Sequence, residues 1–141
     1  MALNKVPREL LQTVLWQRKD MSVNKTTSGI IPSLTFNNLK AGVTYNIKGN
    51  IRIETGNTGD GRVDVLNTDG STILNQIGQL NGGTSSSFQA FPSSFDVEFT
   101  APEDGSITFD YSESGNSQVF ADGSYAVLTR LDDYVETDIW D

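Results

Sequence analysis

The sequence predicts an all-β protein: an antiparallel β-sandwich, jelly-roll-like, preceded by a short N-terminal helical or extended attachment segment. Three observations carry this. Apolar and polar residues alternate over residues 43 to 54, the pattern of a strand with one buried and one wet face. Gly, Asn, Asp and Ser clusters recur every ~8 to 15 residues, the spacing of short antiparallel strands. No convincing helical periodicity follows residue 20.

The 141 residues amount to one domain, and a chain of this size buries roughly two thirds of its unfolded surface. The apolar fraction of 36% is modest. Thin cores of this kind belong to two-layer sheet proteins or to chains that complete their burial in an oligomer. The chain contains neither Cys nor His. That removes disulfides, thiolate metal sites and the commonest zinc ligand. It also excludes Ser-His-Asp and Cys-His catalysis within the chain, and no cofactor is expected. No run approaches the ~20 apolar residues of a membrane span, so no membrane insertion is expected. "MALNKVPREL" lacks the apolar stretch of a secretory leader. The net charge of -8 argues against binding nucleic acid through its phosphates.

The elements follow in order. Residues 1 to 20 read as an attachment segment. "VPRELLQTVLWQRK" places Pro7 where a helix can begin, because the N–H lost there is unpaired anyway. Leu10, Leu11, Val14 and Leu15 follow at spacings that make one apolar stripe, with Trp16 beside it. A helix of about ten to twelve residues is marginal alone in water. It must dock on its own β domain, on its copies in an oligomer, or on another protein. Covering these side chains on a partner removes several hundred Å2 of apolar area, on the order of 10 kcal/mol before ordering costs. Pro7, Leu10, Leu11, Val14, Leu15 and Trp16 are therefore the candidate partner-binding residues.

Residues 21 to 141 read as the β domain. "MSVNKTT" alternates weakly, and "NNLKAG" supplies a turn. In "VTYNIKGNIRIE", Val43, Tyr45, Ile47, Gly49, Ile51 and Ile53 share the inner face. Gly49 in mid-strand marks a bulge or a close neighbour. "TGNTGDG" is a loop. "RVDVLNTDGSTILNQI" reads as a hairpin about a two-residue Asp69-Gly70 turn. "LNGGTSSS" is a flexible connection. Phe95, Val97 and Phe99 alternate inward on one strand, and Ile107, Phe109 and Tyr111 on the next. "ESGNSQ" turns again, and a last strand is centred on Tyr125 to Arg130. The sum is about eight short strands.

Charge is unevenly placed. Residues 1 to 25 carry +3 and the remainder -11, and the closing "DDYVETDIWD" holds five acids and no base. This fits separate contacts for the two termini, and equally two solvated tails.

Candidate chemistry is sparse. Glu54, Asn57, Asp60 and Asp64 offer oxygen ligands of the hard-cation type, but not at the spacing of an EF-hand loop. Such residues in a Gly-rich stretch are ordinarily turn formers, and no metal site is assigned. Asp96 and Glu98 share a strand face, as would Asp64 with an acid on its neighbour strand. Paired carboxylates are what a glycosidase needs, yet these lie where a wet sheet face carries its charges. Trp16, Trp140, Phe88 and Phe91 could stack on sugars, although aromatic residues near a chain end more often pin that end down. Phe91 and Trp140 are the candidate glycan-binding residues.

"SLTFNNLKAGVTYNIKGNIRIE", "FTAPEDGSITFDYSES" and "GSYAVLTRLDDYVET" together resemble the small β domains of tailed-bacteriophage structural proteins. There, a segment of the "LTFNNL…G…TY" type opens the first long strand and a "YAVL" strand closes the domain. "MALNKVPREL" is similar to the start of phage fibre and tail proteins, where a short segment attaches to the virion. The resemblance implies a jelly roll of the tumour-necrosis-factor/C1q type, usually trimeric. It implies a non-enzymatic virion component, assembled in the host cytoplasm, of the head fibre or decoration or short tail-fibre kind. A long fibre would need a shaft or coiled coil, for which this chain has no room. The implied partners are other virion proteins of capsid or tail, two further copies in a homotrimer, and host-surface glycans. A carbohydrate-binding module is the alternative reading.

Overall fold

The alternating stretch of the sequence is the spine of the fold. In the computed structural model, which describes residues 16–56, 59–81 and 89–131, ten strands make two five-stranded antiparallel sheets. They are β1 (Trp16–Asp20), β2 (Gly29–Ile30), β3 (Phe36–Leu39), β4 (Thr44–Thr55), β5 (Asp60–Leu66), β6 (Thr72–Asn81), β7 (Gln89–Thr100), β8 (Gly105–Ser114), β9 (Ser117–Val119) and β10 (Tyr125–Arg130). One short 3-10 turn, Pro32–Leu34, precedes β3. The first sheet runs β1-β10-β4-β7, with β9 also on β4; the second runs β2-β8-β5-β6, with β3 also on β8. This is the expected jelly-roll-like β-sandwich. Two more strands are present than the sequence predicts, because β2 and β9 are two and three residues long, too short for alternation to show.

Strand β4 pairs with β7 along its full length. On its other edge it is shared by β10, over Tyr45 to Asn50, and β9, over Ile53 to Thr55. The six residues expected on the inner face, Val43 to Ile53, are all buried, and their alternates are half-buried or exposed. Facing them from the second sheet are Val63, Val65, Ile107, Phe109 and Tyr111, none of which is solvent-accessible. Phe95 and Phe109 span the two layers with ring centroids 5.7 Å apart, tilted by 56°, a geometry that suits the ring quadrupoles. The buried Tyr111 hydroxyl is hydrogen-bonded to Ser117, which also donates to the Asp60 carbonyl at 3.0 Å. The core's large polar group is thus satisfied, as burial demands.

Gly49 is a close approach, not a bulge, since the register with both neighbours runs through it unbroken. A Cβ there would overlap the Tyr125 carbonyl oxygen and stand 2.9 Å from Ala126 Cα. The hairpin between β5 and β6 differs from its two-residue reading. Asn67 donates to the Ser71 carbonyl and Gly70 to the Asn67 carbonyl, so the loop is three residues, Thr68 to Gly70. Gly70 takes the left-handed φ of 84° that such loops require. The Asp69 carboxylate accepts the Ser71 N–H at 2.9 Å and hydroxyl at 2.6 Å. Thr68 and Ser106 exchange two hydrogen bonds, of 2.6 and 2.8 Å, fixing the turn to the start of β8.

At the N-terminus the helical reading stops short. Trp16–Asp20 is a strand in register with β10, from Trp16↔Thr129 to Asp20↔Tyr125. The sheet therefore begins at Trp16, inside the stretch assigned to the attachment segment. Pro7, Leu10, Leu11, Val14 and Leu15 lie outside the described residues. So does most of the "LNGGTSSS" connection.

Substitution at Gly49 tests the close approach. The overlap is with backbone, which cannot rotate away, so Gly49→Ala is expected to cost about 3 kcal/mol. Gly70→Ala meets nothing within 4 Å and should cost only the left-handed backbone strain, about 1–2 kcal/mol. Urea unfolding of the two variants checks this; equal midpoints would mean that β4 and β10 do not meet as described.

Candidate functional site at the pole where the chain ends meet

Because β1 and β10 are antiparallel neighbours, the two ends of the described chain leave the domain together. Trp16 is opposite Thr129, and Leu131 extends the ladder by donating its N–H to the Thr44 carbonyl at 2.9 Å. In an antiparallel ladder, directly opposed residues point to one face and the next pair to the other. Ala126 and Leu128 face the core and are buried. Trp16, Arg18, Tyr125, Val127, Thr129 and Leu131 consequently lie on the outward face of the first sheet. Trp16 is 53% exposed and Leu131 43%. Among the described residues only Val23 and Ile30 are other large apolar side chains so exposed. The exposed Trp16 and Leu131 therefore sit diagonally on one face, at the root of the segment that carries Leu10, Leu11, Val14 and Leu15.

The rest of that face is polar and mixed in sign. Arg18 holds Asp20 through two hydrogen bonds, of 3.0 and 3.3 Å, and its guanidinium lies 4.3 Å from the Tyr125 ring centroid. Arg52 lies 4.6 Å over the Phe120 ring and 3.4 Å from Glu54. Asn46 donates to Asp96 at 2.6 Å. Arg18 and Arg52 are matched locally, which gives a structured surface but little net stability, since exposed pairs are weak.

The sequence-derived acids are distributed by the strands. Glu54 and Asp64 are strand residues, not turn formers. Glu54 accepts from Arg52 and from Gln118 at 2.9 Å. Asp64 lies 3.7 Å from Arg62 and accepts the Gln76 N–H at 2.8 Å. Gln76 has a φ of 57° at a register shift in β6, so Asp64 holds a bulge. Asp64 also stands opposite Asp110 across the β5–β8 ladder. Asp96 and Glu98 are exposed on the outward face of β7, as expected. Asn57 lies outside the described residues, and among the described ones no three Asp or Glu come together to hold a metal ion. Trp140 and Phe88 also lie outside them. Phe91 is placed in β7 opposite Ile53, with its side chain outside the described ones. Leu131 was not singled out from sequence; its signal is an apolar residue directly after the alternation of "YAVLTR" has ended. No described helix is long and apolar enough to cross a membrane.

No protein-family model matches the chain, and no curated protein matches it. Solved structures do. Murine APRIL is similar over 83% of this chain and 98% of its own, at 7% identity and a TM-score of 0.58. Eiger TNF from S. frugiperda is similar over 84% of this chain and 93% of its own, at 9% identity and a TM-score of 0.51. A pentameric capsid protein from metagenomic phage sequences covers 91% of this chain and 76% of its own at 16% identity, with a TM-score of 0.41. The first two likenesses show the fold: this domain is a TNF-like jelly roll.

The Arg18–Asp20 pair carries a pH signature. Hydrogen bonding from Arg18 holds the Asp20 carboxyl below its ordinary range, and Asp20 in turn raises Arg18. A depressed carboxyl stabilises the fold above its unfolded pKa, and that contribution fades as pH falls through the folded value. An NMR titration should find Asp20 protonating at lower pH than an ordinary aspartate, and Arg18→Gln should return it to the usual range. A midpoint unmoved by Arg18→Gln would dissolve the pair.

Proposed function

We infer that the protein is a non-enzymatic structural component of a tailed-phage virion, of the head fibre or decoration or short tail-fibre kind. Its N-terminal segment anchors it to a capsid or tail protein, and its jelly roll is displayed for adhesion as a homotrimer. The observation that carries the reading is the exposed Trp16 and Leu131 at the root of that segment. An exposed apolar surface that directly follows Leu10, Leu11, Val14 and Leu15 in the sequence would be costly to leave in water and favourable to cover. The phage-like motifs of the chain support the virion assignment. The TNF-like fold supports three-fold assembly, in which three identical anchors raise attachment by effective concentration. The acidic domain beyond the anchor favours solubility and mutual repulsion of displayed copies.

Two experiments test this. Residues 2 to 15 are deleted, leaving Trp16–Asp20 in the sheet so that the β domain stays whole. Incorporation into phage particles should fall at least tenfold while the thermal midpoint is kept; undiminished incorporation would remove the anchor. For assembly, light scattering of the full chain at micromolar concentration is expected to give three times the subunit mass, and a monomer there would refute the trimer.

A further inference from the structure

A second feature lies at the opposite end of β1. Between the end of β1 and the connection from β9 to β10 is a cleft of about 740 Å3, lined among others by Arg18, Asp20, Asn24, Phe120, Asp122 and Tyr125. The chain ends leave beside the Trp16↔Thr129 pair, and the cleft lies beside Asp20↔Tyr125. At ~3.3 Å per residue the two ends of β1 are roughly 13 Å apart. The cleft thus lies on the same outward face of the first sheet as Trp16, at the other end of β1.

We propose that this cleft is a binding site for an uncharged oligosaccharide. The aromatic members, Phe120 and Tyr125, are half-buried. Each is held by a guanidinium over its ring, Arg52 at 4.6 Å and Arg18 at 4.3 Å. The guanidinium takes one face of each ring, and what stays uncovered of the ring is stiff apolar surface against which sugar C–H groups pack. Asn24 is oriented by accepting the Ala121 N–H at 2.8 Å, which leaves both donors of its amide without a partner among the described residues. The exposed Asp122 carboxylate likewise takes no hydrogen bond from the described residues and accepts only. Arg18 keeps donors beyond those that hold Asp20. Donors and an acceptor fixed around aromatic surface match vicinal hydroxyls, each of which both gives and takes a hydrogen bond. Charge selects the class. Asp20 offsets Arg18, and Asp122 leaves an excess of negative charge, so phosphates, sialic acids and uronic acids are disfavoured. A purely apolar ligand would leave the polar groups unpaired. A shallower hollow of about 370 Å3 shares Tyr125 and continues past Lys48, Ser94 and Asp96, which extends the groove beyond a single sugar.

This deepens the adhesion part of the proposed function, and its test does not depend on particle incorporation. The full-length protein is applied to an array of neutral and acidic oligosaccharides, and the strongest ligand is titrated by calorimetry. Neutral hexose or N-acetylhexosamine oligosaccharides should bind. Asp122→Ala should lower the affinity at least tenfold without moving the thermal midpoint. So should Asn24→Asp, which keeps the acceptor for Ala121 but removes the donors and adds charge. The proposal is overturned if no oligosaccharide binds at millimolar concentration, if acidic ones bind best, or if both variants retain full affinity. Variants that lose the sugar yet still enter particles normally would separate this site from the anchor.

Discussion

The position of strand β10 on β4 sets the rest of the molecule, and it depends on the missing side chain of Gly49. With no Cβ, the backbone of β4 comes against the Tyr125 carbonyl and Ala126, and β10 lies flat along Tyr45 to Asn50. β1 can then add outside β10, residue for residue. Anything larger at Gly49 would tilt β10 away and carry β1 with it. Trp16 with Leu131, and Tyr125, mark the two ends of this one ladder. Both surfaces therefore inherit their geometry from a single interior contact.

The core shows why such a thin interior suffices. The two sheets meet through side chains that leave almost nothing polar unpaired. Tyr111, the largest fully buried residue, is the exception that had to be managed, and Ser117 supplies its partner. Burial raises the Tyr111 pKa, so the phenol stays neutral where an ion would have no compensation. Gly61 stands between the layers with Ile53 and Tyr111 side chains about it, so small and large residues interlock there. Stability is concentrated between the sheets, and the outward face of the first sheet is left to carry charged side chains and the exposed Trp16.

Much of this was legible in the chain. The alternation from Val43 to Glu54 gave both faces of β4, and the strand centred on Tyr125 to Arg130 is β10, whereas Thr55 and Asp60, read as loop, lie in β4 and β5. These patterns are local and period-two, and burial enforces them. What escaped is non-local or depends on backbone. Nothing near residue 16 announces that Arg18 and Lys19 will pair with Val127 and Ala126, and the apolar spacing of Leu10 to Leu15 runs straight into Trp16. The bulge at Gln76 depends on Asp64, twelve residues earlier. The cleft joins Asn24 to Ala121 across ninety-seven positions, with only the Asp122-Gly123 turn signal to mark one side. That Trp16 and Leu131 share the outward face required knowing that β1 and β10 are neighbours.

The distance between the two features has a physical consequence. Trp16 and the cleft share the outward face of the first sheet, and a partner that covered both would desolvate the cleft. The proposed function therefore requires an attachment confined to the Trp16 end of the five-residue ladder, roughly 13 Å from Asp20. Charge is divided along the chain: five of its ten bases lie in the first twenty-five residues, three of them, Arg18, Lys19 and Lys25, in or beyond β1, and the rest of the chain is acidic. Under that proposal a rigid sheet sandwich suffices, because nothing in it has to move and β1 keeps the two surfaces at a fixed distance.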